Sequence, residues 1–197
     1  MICVIETEQY LGKKMTRHIY VDYSRKEGKK VNGKFRPYAK RKDFRGGVGI
    51  VIVEEGKVSS VHSIHTQGFH NASGERLALL KGLGFCKEGD VLYTDQKGLV
   101  CELSEQGKLR TEHSHLTTGR LNHRINTALS FKKGVTVAFT RSHNNDEYNN
   151  LSDKLAKVGS SVKQPKLLKT LAERYSLQPA QVNVKSIKHN TTKPLSL

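Results

Sequence analysis

Short apolar runs separated by polar, glycine-bearing stretches set the rhythm of this chain. Residues 18–24, HIYVDYS, join β-branched and aromatic positions in a span too brief for a helix, and they read as a buried strand. Residues 48–55, VGIVIVEE, are a second. Lys57–Gln67, KVSSVHSIHTQ, alternates, with Val58, Ser60, His62, Ile64 and Thr66 on one side and Ser59, Val61, Ser63 and His65 on the other. Glu55-Gly56 is the tight turn between these two, so the three strands form an antiparallel meander. The period then lengthens. Asn71–Leu83 carries Leu77, Leu80 and Leu79, Leu83 at helical spacing and stops at Gly84. Residues 90–95, DVLYTD, are a strand, 97–103 a helix, and a further helix runs through Ile125 and Leu129. Residues 135–140, VTVAFT, are the fifth strand, and a helix carries Leu151, Leu155, Ala156 and Val158. A strand that follows a helix after such a meander crosses over to lie parallel to the first strand, which makes this an α/β chain with a five-stranded mixed sheet flanked by helices.

A length of 197 residues suits one domain with a tail or insertion. The domain is expected over 18–160, with 1–17 as an arm or edge strand, 25–47 as an inserted loop and 161–197 as a basic appendage holding a helix over 165–175. With no Trp, the core must be built mainly from Val, Leu and Ile. Cys3, Cys86 and Cys101 match no zinc spacing and read as reduced thiols. No run is long and apolar enough for a membrane span and no signal-peptide core is present, so a cytoplasmic, intracellular protein is expected.

Charge narrows the partner. The formal net charge is +16 and the pI about 9.8, which favours a polyanion, nucleic acid before membrane surface. Residues 25–47 hold ten Lys or Arg against two acids, with Phe35, Tyr38 and Phe44 interleaved. Gly28, Gly33 and Pro37 break any helix there. The composition suits phosphate contact with some stacking, and Arg25, Lys26, Lys29, Lys30, Lys34, Arg36, Lys40, Arg41 and Lys42 are the candidate nucleic-acid ligands.

Against this basic background a few acids stand where acids are costly. Asp22 interrupts the first strand, and a buried carboxylate is normally paired, hydrogen-bonded or holding a metal. Glu75 lies near the start of its helix, where the helix dipole alone is a sufficient reason for it. Asp95 ends a parallel strand, where ligands of open α/β sheets bind. Asp153 lies on the late helix, ten residues after His143. His62, His65 and His70 suggest a metal, but strand histidines without a third ligand are ordinarily half-exposed polar residues.

Elements and acids fall in an order that resembles the ribonuclease H family over about residues 18–158. The motifs carrying the resemblance are VDYS with Asp22, ASGERLALLKGL with Glu75, LYTDQKGLV with Asp95, and HNNDEYNNLSDKLA with His143 and Asp153. The last is the most specific. The family places a histidine ten residues before its final Asp, an Asn where Asn149 stands, and Asp-x-Leu-Ala as in Asp153-Lys154-Leu155-Ala156. The resemblance implies an RNase H-like fold with sheet order 3-2-1-4-5, its first three strands antiparallel. It implies two Mg²⁺ or Mn²⁺ ions, with Asp22 bridging both, Glu75 and Asp95 completing the first site and Asp153 ligating the second. His143 would deliver water or release product. The implied reaction cuts the RNA strand of an RNA·DNA hybrid, giving 5′-phosphate and 3′-hydroxyl ends, by a protein expected to be monomeric. Ser24, Asn71, Gln96, Lys97 and Asn149 join the basic loop as implied nucleic-acid contacts.

Independent physics agrees with the ions. Four carboxylates within a few Å repel by roughly 1 kcal/mol per pair even in water, and all-oxygen ligation selects Mg²⁺ or Mn²⁺ over zinc. The chain also departs from the family. Tyr23 replaces the usual Gly after the first Asp, which predicts crowding at the site; Ala72 replaces a second Asn; and the basic helical protrusion is absent, the 25–47 loop standing in for it. Two other classes stay open: a junction resolvase or other structure-selective DNA nuclease on the same fold, and a non-catalytic hybrid-binding module.

Overall fold

β1 (His18–Lys26) is buried on both faces from Ile19 to Tyr23, as a strand is when helices cover both sides of its sheet. The computed structural model describes residues 16–26, 28–37, 44–112, 116–141, 146–161 and 165–188. After β1 come β2 (Gly28–Val31), β3 (Lys34–Pro37), β4 (Arg45–Glu54) and β5 (Lys57–Gln67). Then follow α1 (Asn71–Leu83), β6 (Val91–Thr94), α2 (Lys97–Gln106), α3 (Leu116–Phe131), β7 (Thr136–Phe139), α4 (Glu147–Ser161), α5 (Pro165–Arg174), a 3-10 turn (Pro179–Gln181) and β8 (Val182–Lys188).

The main sheet has the order β7-β6-β1-β4-β5-β8. β1 pairs antiparallel with β4, and β4 with β5, while β6 runs parallel to β1 and β7 parallel to β6. These are the five expected strands in the expected order. The sixth corrects the reading of 161–197 as an appendage: β8 lies parallel to β5 along its outer edge. Leu168, Leu171, Tyr175, Leu177 and Val182 pack into one core, so this segment is built into the domain.

A second correction concerns residues 25–47. Much of the expected loop is a β-hairpin in which Gly28–Val31 pairs with Lys34–Pro37 as a separate two-stranded sheet. Asn32 and Gly33, at φ 49° and 74°, make its turn. The Asn-Gly pair is the sequence signal for such a hairpin, hidden among lysines that disfavour strands. Glu55-Gly56, at φ 53° and 71°, forms the other hairpin turn as expected.

Each face of the sheet has its own core. Ile19, Val21, Ile50, Leu77, Leu92 and Leu121 pack on the α1 and α3 side, and Tyr20, Val51, Val61, Leu151, Leu155 and Leu171 on the α4 side. Val, Leu and Ile dominate both, as the missing Trp requires. The entry to β1 is locked by Arg17, whose guanidinium reaches Asp90 at 2.7 Å, Glu54 at 3.1 Å and the Phe85 carbonyl at 2.7 Å. Asp90 is 3% exposed, so this pair fastens the starts of β1 and β6 side by side. Cys86 and Cys101 are free thiols. Among the described residues, no helix is long and apolar enough to cross a membrane.

Candidate metal centre

Glycines bring the acids together. Asp22 sits opposite Gly49 in the β1–β4 ladder, and directly opposed residues share a face of the sheet. A Cβ on Gly49 would stand 1.9 Å from the Ser152 carbonyl oxygen, and one on Gly47 2.0 Å from that of Ala156. α4 therefore rests on the bare backbone of β4. Its own contact residues are small, with Ser152, Ala156 and Ser160 at 0% exposure. The Ser63 hydroxyl and a His65 ring N–H donate to the Leu155 and Gly159 carbonyls, at 2.9 and 2.8 Å, and hold the helix down. Since Ser152 meets Gly49, the next residue, Asp153, arrives beside Asp22. Glycines two apart inside a strand, Gly47 and Gly49, are the signal for this close approach.

The other acids arrive from the opposite direction. Thr94, the last residue of β6, pairs with Val21, so Asp95 emerges next to Asp22 at the carboxyl end of the parallel pair. Glu75 comes from α1, where Gly74 lies against the Tyr23 ring and Gly82 against Val21 and Leu92. It is the fifth residue of the helix and no acid occupies the first turn, so the dipole explanation for it loses its footing.

One carboxylate oxygen from each of Asp22, Glu75 and Asp95 lies within 4.8 Å of the others. Asp153 approaches from α4 close enough to raise the Asp22 pKa by charge and hydrogen bonding. Three of the four expected acids thus share one cluster, and Asp153 borders it at Asp22. Burial first, and the Asp95 charge second, push the Asp22 carboxyl up to about 7, opposed by the Tyr23 amide, which donates to Oδ1 at 2.7 Å. Burial, then the Asp22 and Asp95 charges, lift Glu75 to about 9. Oε2 of Glu75 is buried without a hydrogen-bond partner among the described residues. An orphaned buried oxygen in an all-carboxylate set fits a hard divalent cation. Lys157, one turn beyond Asp153 on α4, forms an ion pair with it at 2.5 Å, a neighbour that sequence reading missed although the i, i+4 spacing signals it.

Tyr23 lies on the α1 side of β1, within reach of the Glu75 charge. Strand alternation turns its ring to this face, 7% exposed against Gly74, with its hydroxyl donating to the Phe69 carbonyl at 3.3 Å. The histidines do separate work: His62 packs on Phe85 and burial lowers it to about 4, while His70 precedes α1 beside Arg25 and Phe44.

The expected nucleic-acid ligands scatter more widely. Lys26, Lys34, Arg36, Asn71 and Lys97 are exposed, and Ser24 and Gln96 half-buried. Arg25 is half-buried too, its guanidinium 3.3 Å from His70 and over the Phe44 ring. Lys29 and Lys30 occupy β2. Asn149 is a correction. At 4% exposure its amide is turned inward, with Nδ2 donating to the Arg141 carbonyl at 3.4 Å, so it braces the approach to α4. Asp146, not anticipated, caps that helix by accepting the Tyr148 and Asn149 amides at 3.0 and 3.1 Å. His143, Lys40, Arg41 and Lys42 lie outside the described residues.

No protein-family model matches this chain, and no curated protein does. Solved structures do. The foamy viral protease-reverse transcriptase in complex with dsDNA superposes with TM-score 0.57 at 17% identity, covering 76% of this chain and 96% of that one. The foamy viral enzyme in complex with RNA/DNA hybrid gives 0.57 at 16%, over 82% of this chain and 22% of that one. RNase H1 from the halophilic archaeon Halobacterium salinarum gives 0.54 at 16%, over 73% and 96%. Identities this low speak for the backbone alone, and with the strand order and crossovers above they make the fold of this chain ribonuclease H-like.

Proposed function

We propose that the chain is a metal-dependent endonuclease that hydrolyses the RNA strand of RNA·DNA hybrids, leaving 5′-phosphate and 3′-hydroxyl ends. The observation that carries this reading is the convergence of Asp22, Glu75 and Asp95 within 4.8 Å, with Asp153 alongside Asp22. Such a cluster is a liability to a protein with no use for cations. Asp22, Glu75 and Asp95 would hold one Mg²⁺ or Mn²⁺ ion, and Asp22 with Asp153 a second. Two divalent ions supply an activated water and stabilise the leaving oxygen in an in-line displacement at phosphorus.

The chain's own residues do the rest. The Tyr23 amide fixes the Asp22 carboxylate, and Lys157 balances the outer charge of Asp153. Asn71, at the exposed start of α1, and Gln96, directly after Asp95, are the candidates for 2′-hydroxyl recognition. His143, shortly before the Asp146 cap, is the candidate for moving a proton at the attacking water or the departing oxygen.

The test is Asp22→Asn with labelled hybrid, duplex DNA and four-way junction assayed side by side. The wild-type chain should cut the RNA strand of the hybrid in Mg²⁺, and the variant should bind it without cutting. Cleavage undiminished in the variant refutes the proposal. One structural neighbour was solved with dsDNA, so cleavage of duplex DNA or junction alone would move the assignment to a DNA nuclease. Calorimetry without Mg²⁺ or Mn²⁺ uptake would leave a binding module.

A further inference from the structure

The β2–β3 hairpin is chemically unlike the domain that carries it. Between Gly28 and Pro37 it holds four cations and no acid. Lys29 stands directly opposite Arg36, and Val31 opposite Lys34. Like charges facing each other across a ladder destabilise it, and a lone two-stranded hairpin is marginal in water to begin with. It belongs to no larger sheet, and Val31, Lys34, Arg36 and Pro37 are exposed. A β-ribbon with this charge pattern gains by lying on a dense row of anions.

Its position says which row. β6 stops at Thr94, level with Val21, while β1 runs on past Asp22 to Lys26. The hairpin therefore springs from the end of the sheet where the acids cluster. Four residues of β1 beyond Asp22 cover about 13 Å, and a four-residue hairpin strand adds at most about 13 Å more. At about 3.4 Å per base pair, that is roughly four to eight base pairs from the scissile phosphate.

We propose that the β2–β3 hairpin is an anchoring arm that grips the phosphates of duplex continuing beyond the cleaved bond, through Lys34 and Arg36. The proposal rests on the nuclease reading and adds a length requirement to it. The arm contacts phosphates, so it contributes affinity and register on the duplex and leaves the choice between RNA and DNA to the site itself.

The experiment uses the full chain with Asp22→Asn to prevent cleavage, and compares it with the same chain also carrying Lys34→Glu and Arg36→Glu. Fluorescence anisotropy measures binding to 24-base-pair and 8-base-pair hybrids over a range of salt. The expected result is at least a tenfold loss on the long hybrid, under threefold on the short one, and a log-log salt slope on the long hybrid smaller by about 2. A Lys34→Gln, Arg36→Gln pair should change the slope equally with a smaller loss of affinity, which separates lost contacts from new repulsion. Circular dichroism checks that the main sheet melts unchanged. Equal affinity and slope on the long hybrid overturn the arm and leave the nuclease reading standing. A parent chain that binds no duplex removes both.

Discussion

Raising the pH of the metal-free protein should weaken it across a range where most proteins are indifferent. Glu75 is held at about 9 in the fold and returns to its ordinary value near 4.5 on unfolding. Between those values the folded chain keeps a proton that the unfolded chain releases, so stability is fully present below about pH 4.5 and is lost as pH rises through 9. Asp22, lifted from 3.8 to about 7, works in the same direction lower down. His62 works against both: lowered by burial from 6.5 to about 4, it makes the fold gain stability as pH rises through that interval. Below pH 6.5 His62 offsets one of the two acids, leaving a shallower fall. Above it, the acids act alone. One proton held over two pH units corresponds to about 1.4 kcal/mol per unit, so roughly 3 kcal/mol should disappear between pH 6.5 and 8.5. Urea unfolding followed by circular dichroism in EDTA at pH 6.5, 7.5 and 8.5 measures it. Saturating Mg²⁺ should flatten the fall, because the ion takes the place of the protons and stabilises by about 2.7 kcal/mol at a hundred times its dissociation constant. Glu75→Gln should flatten it without metal. A metal-free stability that holds level or rises from pH 6.5 to 8.5 would show that Glu75 is ionised in the fold, and the account of a cation-dependent cluster would fail.

Other consequences follow from the same geometry. Gly49→Ala pushes a methyl into the Ser152 carbonyl, a backbone contact that no rotamer change relieves; overpacking of about 3 kcal/mol should lower the melting temperature by roughly 6–12 °C, and Asp153 should draw back from Asp22 and weaken Mn²⁺ uptake measured by calorimetry. Lys157→Met removes the cation paired with Asp153. A surface pair of this kind is worth about 0.4 kcal/mol, so the weaker of two Mg²⁺ binding steps should tighten about twofold. Asp22→Asn, beyond abolishing cleavage, should raise metal-free stability at pH 8, since it removes the carboxylate that Glu75, Asp95 and Asp153 all face.

The elements legible in the sequence were those with an unambiguous period. Lys57–Gln67 alternates cleanly, and Asn71–Leu83 carries leucines at helical spacing, and both spans match the fold to the residue. Asp22 stood out by interrupting a buried strand and Asp95 by ending a parallel one, while Glu75 and Asp153 gained their meaning from the order of the acids along the chain, which resembles that of the ribonuclease H family. The basic hairpin was hidden because lysine-rich composition outweighs a single Asn-Gly turn in any local reading. β8 was hidden for a different reason: VNVKSIK stabilises nothing locally, and its partner β5 is far away in sequence. The inward turn of Asn149 and the capping by Asp146 depend on how α4 is approached, which spacing along the chain does not record.

The parallel pairing of Val182–Lys188 with residues 61–67 also bears on how this protein is made. During synthesis, β5 leaves the ribosome well before β8 exists, and at ordinary elongation rates the interval is on the order of ten seconds. For that time the nascent sheet offers an open row of amides and carbonyls along β5, able to pair with a neighbouring polypeptide. A stop codon anywhere before Val182 would make that interval permanent, so truncated products should be the ones that aggregate or engage chaperones.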